Sequence, residues 1–204
     1  MLPVSATGGK FLYMRIVAIA LLILTLAACV SAPKPGHQNT VISDTLRLCS
    51  GLRISNAPAA DNDNNLLSYS TRAQIAGVSL YRAPVNACVS SGYGPRRGGA
   101  GPFHRGVDLY TGNSKPIYAG GDGIVEDVKT MRGYGKTVTI RHNKKLITRY
   151  AHLSRYASGL RTGDRVVQGQ HIGNTGETGN ATAVHLHYEV WVNGKAKNPL
   201  TMGR

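Results

Sequence analysis

Apolar and polar side chains alternate through Ala183–Val192, a stretch rich in β-branched and aromatic residues and free of Gly and Pro. Period-two alternation predicts a strand that turns Leu186 into a core and His185 and His187 together to the opposite face. Val138–Arg141 predicts a second strand, and Val78–Tyr81 a third that leads into the same domain. Strand-like runs of this kind recur about every 8–12 residues among 25 glycines, which points to an all-β fold. The polar run Asp61–Asn65 reads as a loop. The Gly-flanked stretch Gly101–Asp108 reads as a loop running into a strand.

One apolar run does not alternate. Ile16–Ala28 is broken only by Thr25, follows Lys10 and Arg15, and contains no acid. Its 13 residues fall short of the roughly 20 needed to span a bilayer and suit the hydrophobic region of a signal peptide. Met14 offers a second start that keeps this region intact. The run ends in Leu26-Ala-Ala-Cys29, which resembles the bacterial lipoprotein signal, implying cleavage before Cys29 and a diacylglycerol on its thiol. Val30 follows, not the Asp that retains many lipoproteins in an inner membrane, so the expected address is the periplasmic face of the outer membrane. The expected organisation is a signal peptide over 1–28, then the lipidated Cys29 with a Pro/Ser/Gly-containing tether and an intermediate segment over 29–87. One domain follows over 88–204.

With Cys29 acylated, Cys49 and Cys88 remain as an even pair in an oxidising compartment, which predicts a disulfide. Such a bridge closes a loop of about 40 residues and is worth roughly 4 kcal/mol on the chain-entropy account.

The chemistry-bearing residues lie in the last hundred. They read His104-Arg-Gly-Val-Asp108, Tyr150-Ala-His152 and His185-Leu-His187. A His and a carboxylate four apart, with a distant His-x-His, is ligand spacing for a metal of zinc type. Three ligands leave a coordination position open, and two further imidazoles stand by to handle protons. This is the inventory of a metal-dependent hydrolase. A closed structural zinc site would take four protein ligands, often cysteines, and the cysteines here lie elsewhere. Spacing alone leaves open which of His185 and His187 holds the metal. Glu189 shares their face and reads equally as a support for a ligand imidazole or as a solvated carboxylate. His142, at a strand end beside the cleft, His171 in a Gly-rich loop and His37 in the tether read as non-catalytic.

From Val89 to Leu200 these motifs occur in the order seen in a known family. Ser91-Gly-Tyr-Gly-Pro-Arg96, His104–Leu109, Pro116–Val125, Gly133–His142, Thr148–Ser154, Gly163-Asp164, Ile172-Gly173, Thr178-Gly179, His185–Glu189 and Asn198-Pro-Leu200 together resemble the lysostaphin-type (LytM-like) zinc metallopeptidases of the bacterial cell wall. The resemblance implies the duplicated hybrid motif fold, an antiparallel β-sheet domain with a substrate groove. It implies Zn2+ held by His104, Asp108 and His187. It further implies a catalytic pair, His152 and His185, that polarises water and stabilises the tetrahedral intermediate. The chain has Ala183-Val184 where the family often has Gly and Pro, and Tyr188 where it usually has Phe; neither change removes a reacting group.

The formal charge is +14, and from Ser91 onward 17 Lys and Arg face 7 Asp and Glu. A basic surface gathers polyanions. For an exported protein the natural polyanion is peptidoglycan, through its stem-peptide carboxylates, and not nucleic acid. The implied function is a membrane-anchored zinc endopeptidase cutting peptidoglycan cross-links, with D-Ala–diaminopimelate as the bond, and with a divisome component or amidase as a partner. The alternative is a non-enzymatic envelope regulator that binds and activates a peptidoglycan amidase. Members in that role typically lack zinc ligands, whereas all five positions stand here.

Overall fold

A computed structural model describes residues 42–96 and 101–203. The expected signal peptide, Cys29 and the tether lie outside the described residues. Among the described residues there are strands and turns but no helix. The first four strands are β1 (Arg47–Leu48), β2 (Arg72–Ile75), β3 (Val78–Tyr81) and β4 (Cys88–Ser91). The site-bearing strands follow as β5 (Gly94–Pro95), β6 (Phe103–His104), β7 (Val107–Tyr110) and β8 (Pro116–Tyr118). The long central strands are β9 (Gly123–Met131), β10 (Gly135–Arg141) and β11 (Leu146–Tyr156). The chain then completes β12 (Arg165–Val166), β13 (His171–Thr175), β14 (His185–Val192) and β15 (Lys195–Lys197).

One 11-stranded sheet runs β1-β4-β7-β14-β11-β10-β9-β12, with β13, β8 and β15 branching from it. Its pairings are antiparallel except β1–β4, which is parallel. β2–β3 and β5–β6 are separate hairpins. The alternation read from the sequence decides the faces. Leu186, Tyr188 and Val190 of β14 are buried in a core with Leu109 of β7, Tyr150 of β11 and Ile140 of β10. Each such aliphatic side chain contributes about 1.5–3 kcal/mol by leaving water. Leu186→Ala would therefore cost about 2–5 kcal/mol through lost burial and a residual cavity.

Leu46, Ala73, Ile75, Leu80, Ala83 and Val85 belong to that same core, so the packing runs continuously across Cys88. Cys49 and Cys88 are bonded to each other with their Cα atoms 5.0 Å apart. The bridge ties β1 to the start of β4 beside the β1–β4 pairing.

Candidate metal centre

Neighbouring strands bring the predicted residues to one side of the sheet. In register, His187 on β14 lies opposite Asp108 on β7 and opposite Ala151 on β11, one residue before His152. His104 arrives from the short β5–β6 hairpin. The Nε2 of His104 is 3.1 Å from Asp108 Oδ1 and 3.0 Å from His187 Nδ1, and His187 Nδ1 is 2.9 Å from the same Oδ1. These three residues are the only candidate metal cluster among the described residues.

The outer ring nitrogens settle what the inner ones can do. His104 Nδ1–H donates to the Gly92 carbonyl at 2.7 Å, and His187 Nε2–H donates to Glu189 Oε1 at 3.1 Å. In the neutral tautomers that follow, both inner nitrogens present lone pairs. With Asp108 they make three converging acceptors, a donor set that only a cation satisfies. Nitrogen and oxygen donors of this kind suit zinc, with one coordination position left to the groove. Burial opposes ionisation of Asp108, but without a metal, protons on the inner nitrogens let His104 and His187 donate to it, which outweighs burial and holds the carboxyl well below its ordinary range. Burial likewise opposes charge on His187, yet the bonds to Asp108 and Glu189 hold its pKa up at about 9. A proton thus competes for the position a metal takes.

His152 and His185 stand beside this cradle with ring centroids 4.8 Å apart. His152 has a positive φ of 63°, unusual for a residue with a side chain. It falls where the β10–β11 register slips and β11 exchanges β14 for β13 as a neighbour, so a bulge swings its imidazole into the cleft. Its Nδ1–H donates to the Thr178 carbonyl at 2.7 Å. That carbonyl is brought close by Gly135 and Gly179, which press together so tightly that a Cβ on either would strike the other loop. His185 donates Nδ1–H to the Ala183 carbonyl at 2.7 Å, and its Nε2 is 3.7 Å from Asp108 Oδ1. Both rings therefore turn Nε2 to the cleft as an acceptor. Burial is the main force that lowers the His152 pKa to about 4, with the neighbouring imidazoles adding to it, so the ring is neutral at pH 7.

The model for "Peptidase family M23" matches residues 102–199. A peptidoglycan DD-endopeptidase of Vibrio cholerae, ShyC, is 42% identical over 147 residues, covering 70% of this chain and 33% of the relative. The catalytic domain of lysostaphin from Staphylococcus simulans superposes with a TM-score of 0.51 at 33% identity, over 55% of this chain and 89% of that one. A zinc-containing peptidase from Vibrio cholerae superposes with a TM-score of 0.55 at 33% identity, over 59% of this chain and 39% of that one. The chain belongs to peptidase family M23. It spans about a third of the length of the first curated relatives it matches. The M23 fold, with its zinc cofactor, accounts for the His-Asp-His cradle described above.

Around the M23 site the structure decides the reading left open for Glu189 and adds residues that motif reading did not single out. Glu189 is wholly buried and accepts from Tyr134 Oη, Arg149 Nη1 and Trp191 Nε1 as well as from His187. The alternation along β14 did place Glu189 on the cleft face with His187 and Trp191, but Arg149 reaches it from β11 and Tyr134 from the β9–β10 turn, which no local pattern announces. Gly92 is legible only once His104 is seen to lean on its carbonyl. The groove above the site encloses about 770 Å³ and is lined in part by Arg96, Phe103, Arg105, Tyr134 and Asn180. His142 does not line it. Instead its Nδ1 pairs with the Asp122 carbonyl and its Nε2 with Thr148 Oγ1, locking the β9–β10–β11 edge. His171 pairs with Asn174, and His37 lies outside the described residues.

Proposed function

We propose that this M23 protein is a lipid-anchored zinc endopeptidase that hydrolyses the D-Ala–diaminopimelate cross-links of peptidoglycan. The observation that carries the reading is a complete three-donor cradle set beside two imidazoles whose Nε2 atoms face an open groove. A named DD-endopeptidase as relative supports the substrate class. So does the lining of the groove, where Arg96 and Arg105 are suited to the free carboxylates of stem peptides.

When bound, zinc supplies Lewis acidity that polarises a carbonyl and acidifies water. The chain's own residues do the rest. Neutral His152 accepts a proton at Nε2 while its Nδ1–H stays fixed on Thr178, and later returns that proton to the leaving amine. His185, anchored on Ala183, directs the second Nε2 at the reacting centre and, once protonated, steadies the developing oxyanion. The walls of the groove align an extended peptide across the two imidazoles. An amidase activator would have no use for this intact set, which argues for the enzyme.

The membrane attachment rests on Leu26-Ala-Ala-Cys29 after the apolar run. Of three cysteines, Cys49 and Cys88 are bonded to each other, so the pairing does not compete for Cys29, and Val30 after it supports an outer-membrane address. Digestion of purified sacculi with soluble protein lacking residues 1–29, with products read by mass spectrometry, tests the activity. After a muramidase has cut the glycan strands, replacement of cross-linked dimers by monomers is the expected result; unchanged cross-linking defeats the proposal.

A further inference from the structure

We propose that Glu189 is the positioning residue of the metal centre, committing His187 to ligate through Nδ1. The inference rests on the metal-site reading but not on the substrate. Glu189 lies two residues beyond His187 on β14, so the alternation that pairs His185 with His187 sets Glu189 next along the same face. Its Oε1 takes His187 Nε2–H at 3.1 Å. With Nε2 occupied by that proton, the lone pair can only sit on Nδ1, which is the atom facing His104 and Asp108.

The carboxylate is itself held from every side. Tyr134 Oη donates to Oε1 at 2.9 Å, while Arg149 Nη1 at 3.0 Å and Trp191 Nε1 at 2.7 Å donate to Oε2. Arg149 is directly across the β11–β14 pairing from Glu189, and its guanidinium lies near the rings of Tyr134 and Trp191. Four groups converge on the two oxygens, and the pair on Oε2, Arg149 and Trp191, can only donate. Only an ionised carboxylate answers all four; a Gln at this position would turn an NH2 against at least one donor. A plain ion pair for Arg149 would not need Oε1 aimed at an imidazole. Ligand imidazoles that lose such a carboxylate partner typically lose about 10–100-fold in metal affinity.

The tautomer can be read directly on zinc-loaded wild-type protein from the histidine 15N shifts. The expected pattern for His187 is a protonated Nε2 and a ligating Nδ1; ligation through Nε2 overturns the proposal. Zinc affinity by chelator competition is then measured for wild type, Glu189→Gln and Trp191→Phe. Glu189→Gln should bind zinc about 10–100-fold more weakly and shift the visible spectrum of the cobalt-substituted protein. Trp191→Phe removes a partner of Glu189 without touching His187 and should stay within about threefold of wild type. Wild-type affinity and an unshifted cobalt spectrum in Glu189→Gln also overturn the proposal. Wild-type protein that binds no zinc at all refutes the metal-site reading instead. If Glu189→Gln does not fold, the wild-type 15N shifts decide.

Discussion

His104 Nε2 and His187 Nδ1 face each other at 3.0 Å, each ring having committed its other nitrogen to an acceptor. Two lone pairs so close, with Asp108 Oδ1 completing the triangle, need either a proton or a metal between them. The metal-free chain holds the proton. The His187 pKa stands at about 9, above the unfolded value near 6.5. That proton's contribution to stability is full below pH 6.5 and is lost as pH rises through about 9. Zinc must displace it, so zinc affinity should rise about tenfold per pH unit from 6.5 to about 9. Chelator competition across that range checks this. A flat profile would show that no proton is displaced.

His142 gives a stability prediction remote from the metal. Burial is the largest influence on this ring and lowers its pKa below 6.5, although the Asp122 carbonyl pulls the other way. Above pH 6.5 the ring is neutral both folded and unfolded. As pH falls below that value the unfolded chain takes up a proton that the folded one resists, and stability declines towards the folded pKa. Urea midpoints between pH 7.5 and 5 should fall in wild type and fall less steeply in His142→Gln. Equal slopes would assign the acid sensitivity to other groups.

The segment before β4 braces the metal centre from behind. Ser55 pairs with Ser91, Gly92 N–H donates to the Ser55 carbonyl at 2.8 Å, and the Gly92 carbonyl holds His104. A Cβ on Gly92 would run into the Asn56 carbonyl. Gly92→Ala should therefore cost about 1–3 kcal/mol and weaken zinc uptake as well. Paired Cys49→Ser and Cys88→Ser should cost about 2–4 kcal/mol by freeing the same segment. Denaturant midpoints and zinc titration report both; wild-type values in Gly92→Ala would show that the brace is idle.

Lipid attachment is tested on the full chain in its host. Cys29→Ala should abolish acyl labelling and leave uncleaved precursor. A wild-type protein that carries no acyl chain and fractionates as soluble would refute the anchor.

What the sequence disclosed and what it hid follow physical lines. Period-two alternation is local, so Val78–Tyr81 is found as read, and the strand expected over Ala183–Val192 begins at His185. The same alternation correctly set Leu186 inward and both histidines outward. The Gly101–Asp108 stretch does run into a strand at Val107, but Phe103–His104 also pairs as a short strand with Gly94–Pro95, a partner the local pattern did not show. His152 was legible as a candidate but not in its placement, because its bulge depends on loops 26 residues further along the chain closing over it. The four donors around Glu189 meet only when β11, β14 and the β9–β10 turn come together. His142 was misplaced at the cleft because a strand-end histidine carries no mark of which neighbour it will bond.

The five predicted residues should divide into two kinds of variant. Ala at His104, Asp108 or His187 removes one of three donors that lie 2.9–3.1 Å apart, so each should lose both zinc and hydrolysis. Ala at His152 or His185 leaves that triangle standing, because their Nδ1 atoms are bonded to Thr178 and Ala183 and not to the ligands. Those two variants should keep about one zinc and lose roughly 10²–10⁴-fold in turnover as the proton-handling group goes. Bound zinc and cross-link hydrolysis measured on the same five proteins separate the cases. Undiminished hydrolysis in any ligand variant would break the assignment of the cradle. Full turnover in both His152→Ala and His185→Ala would remove the imidazole pair from the chemistry and leave the activator reading to be tested against amidase.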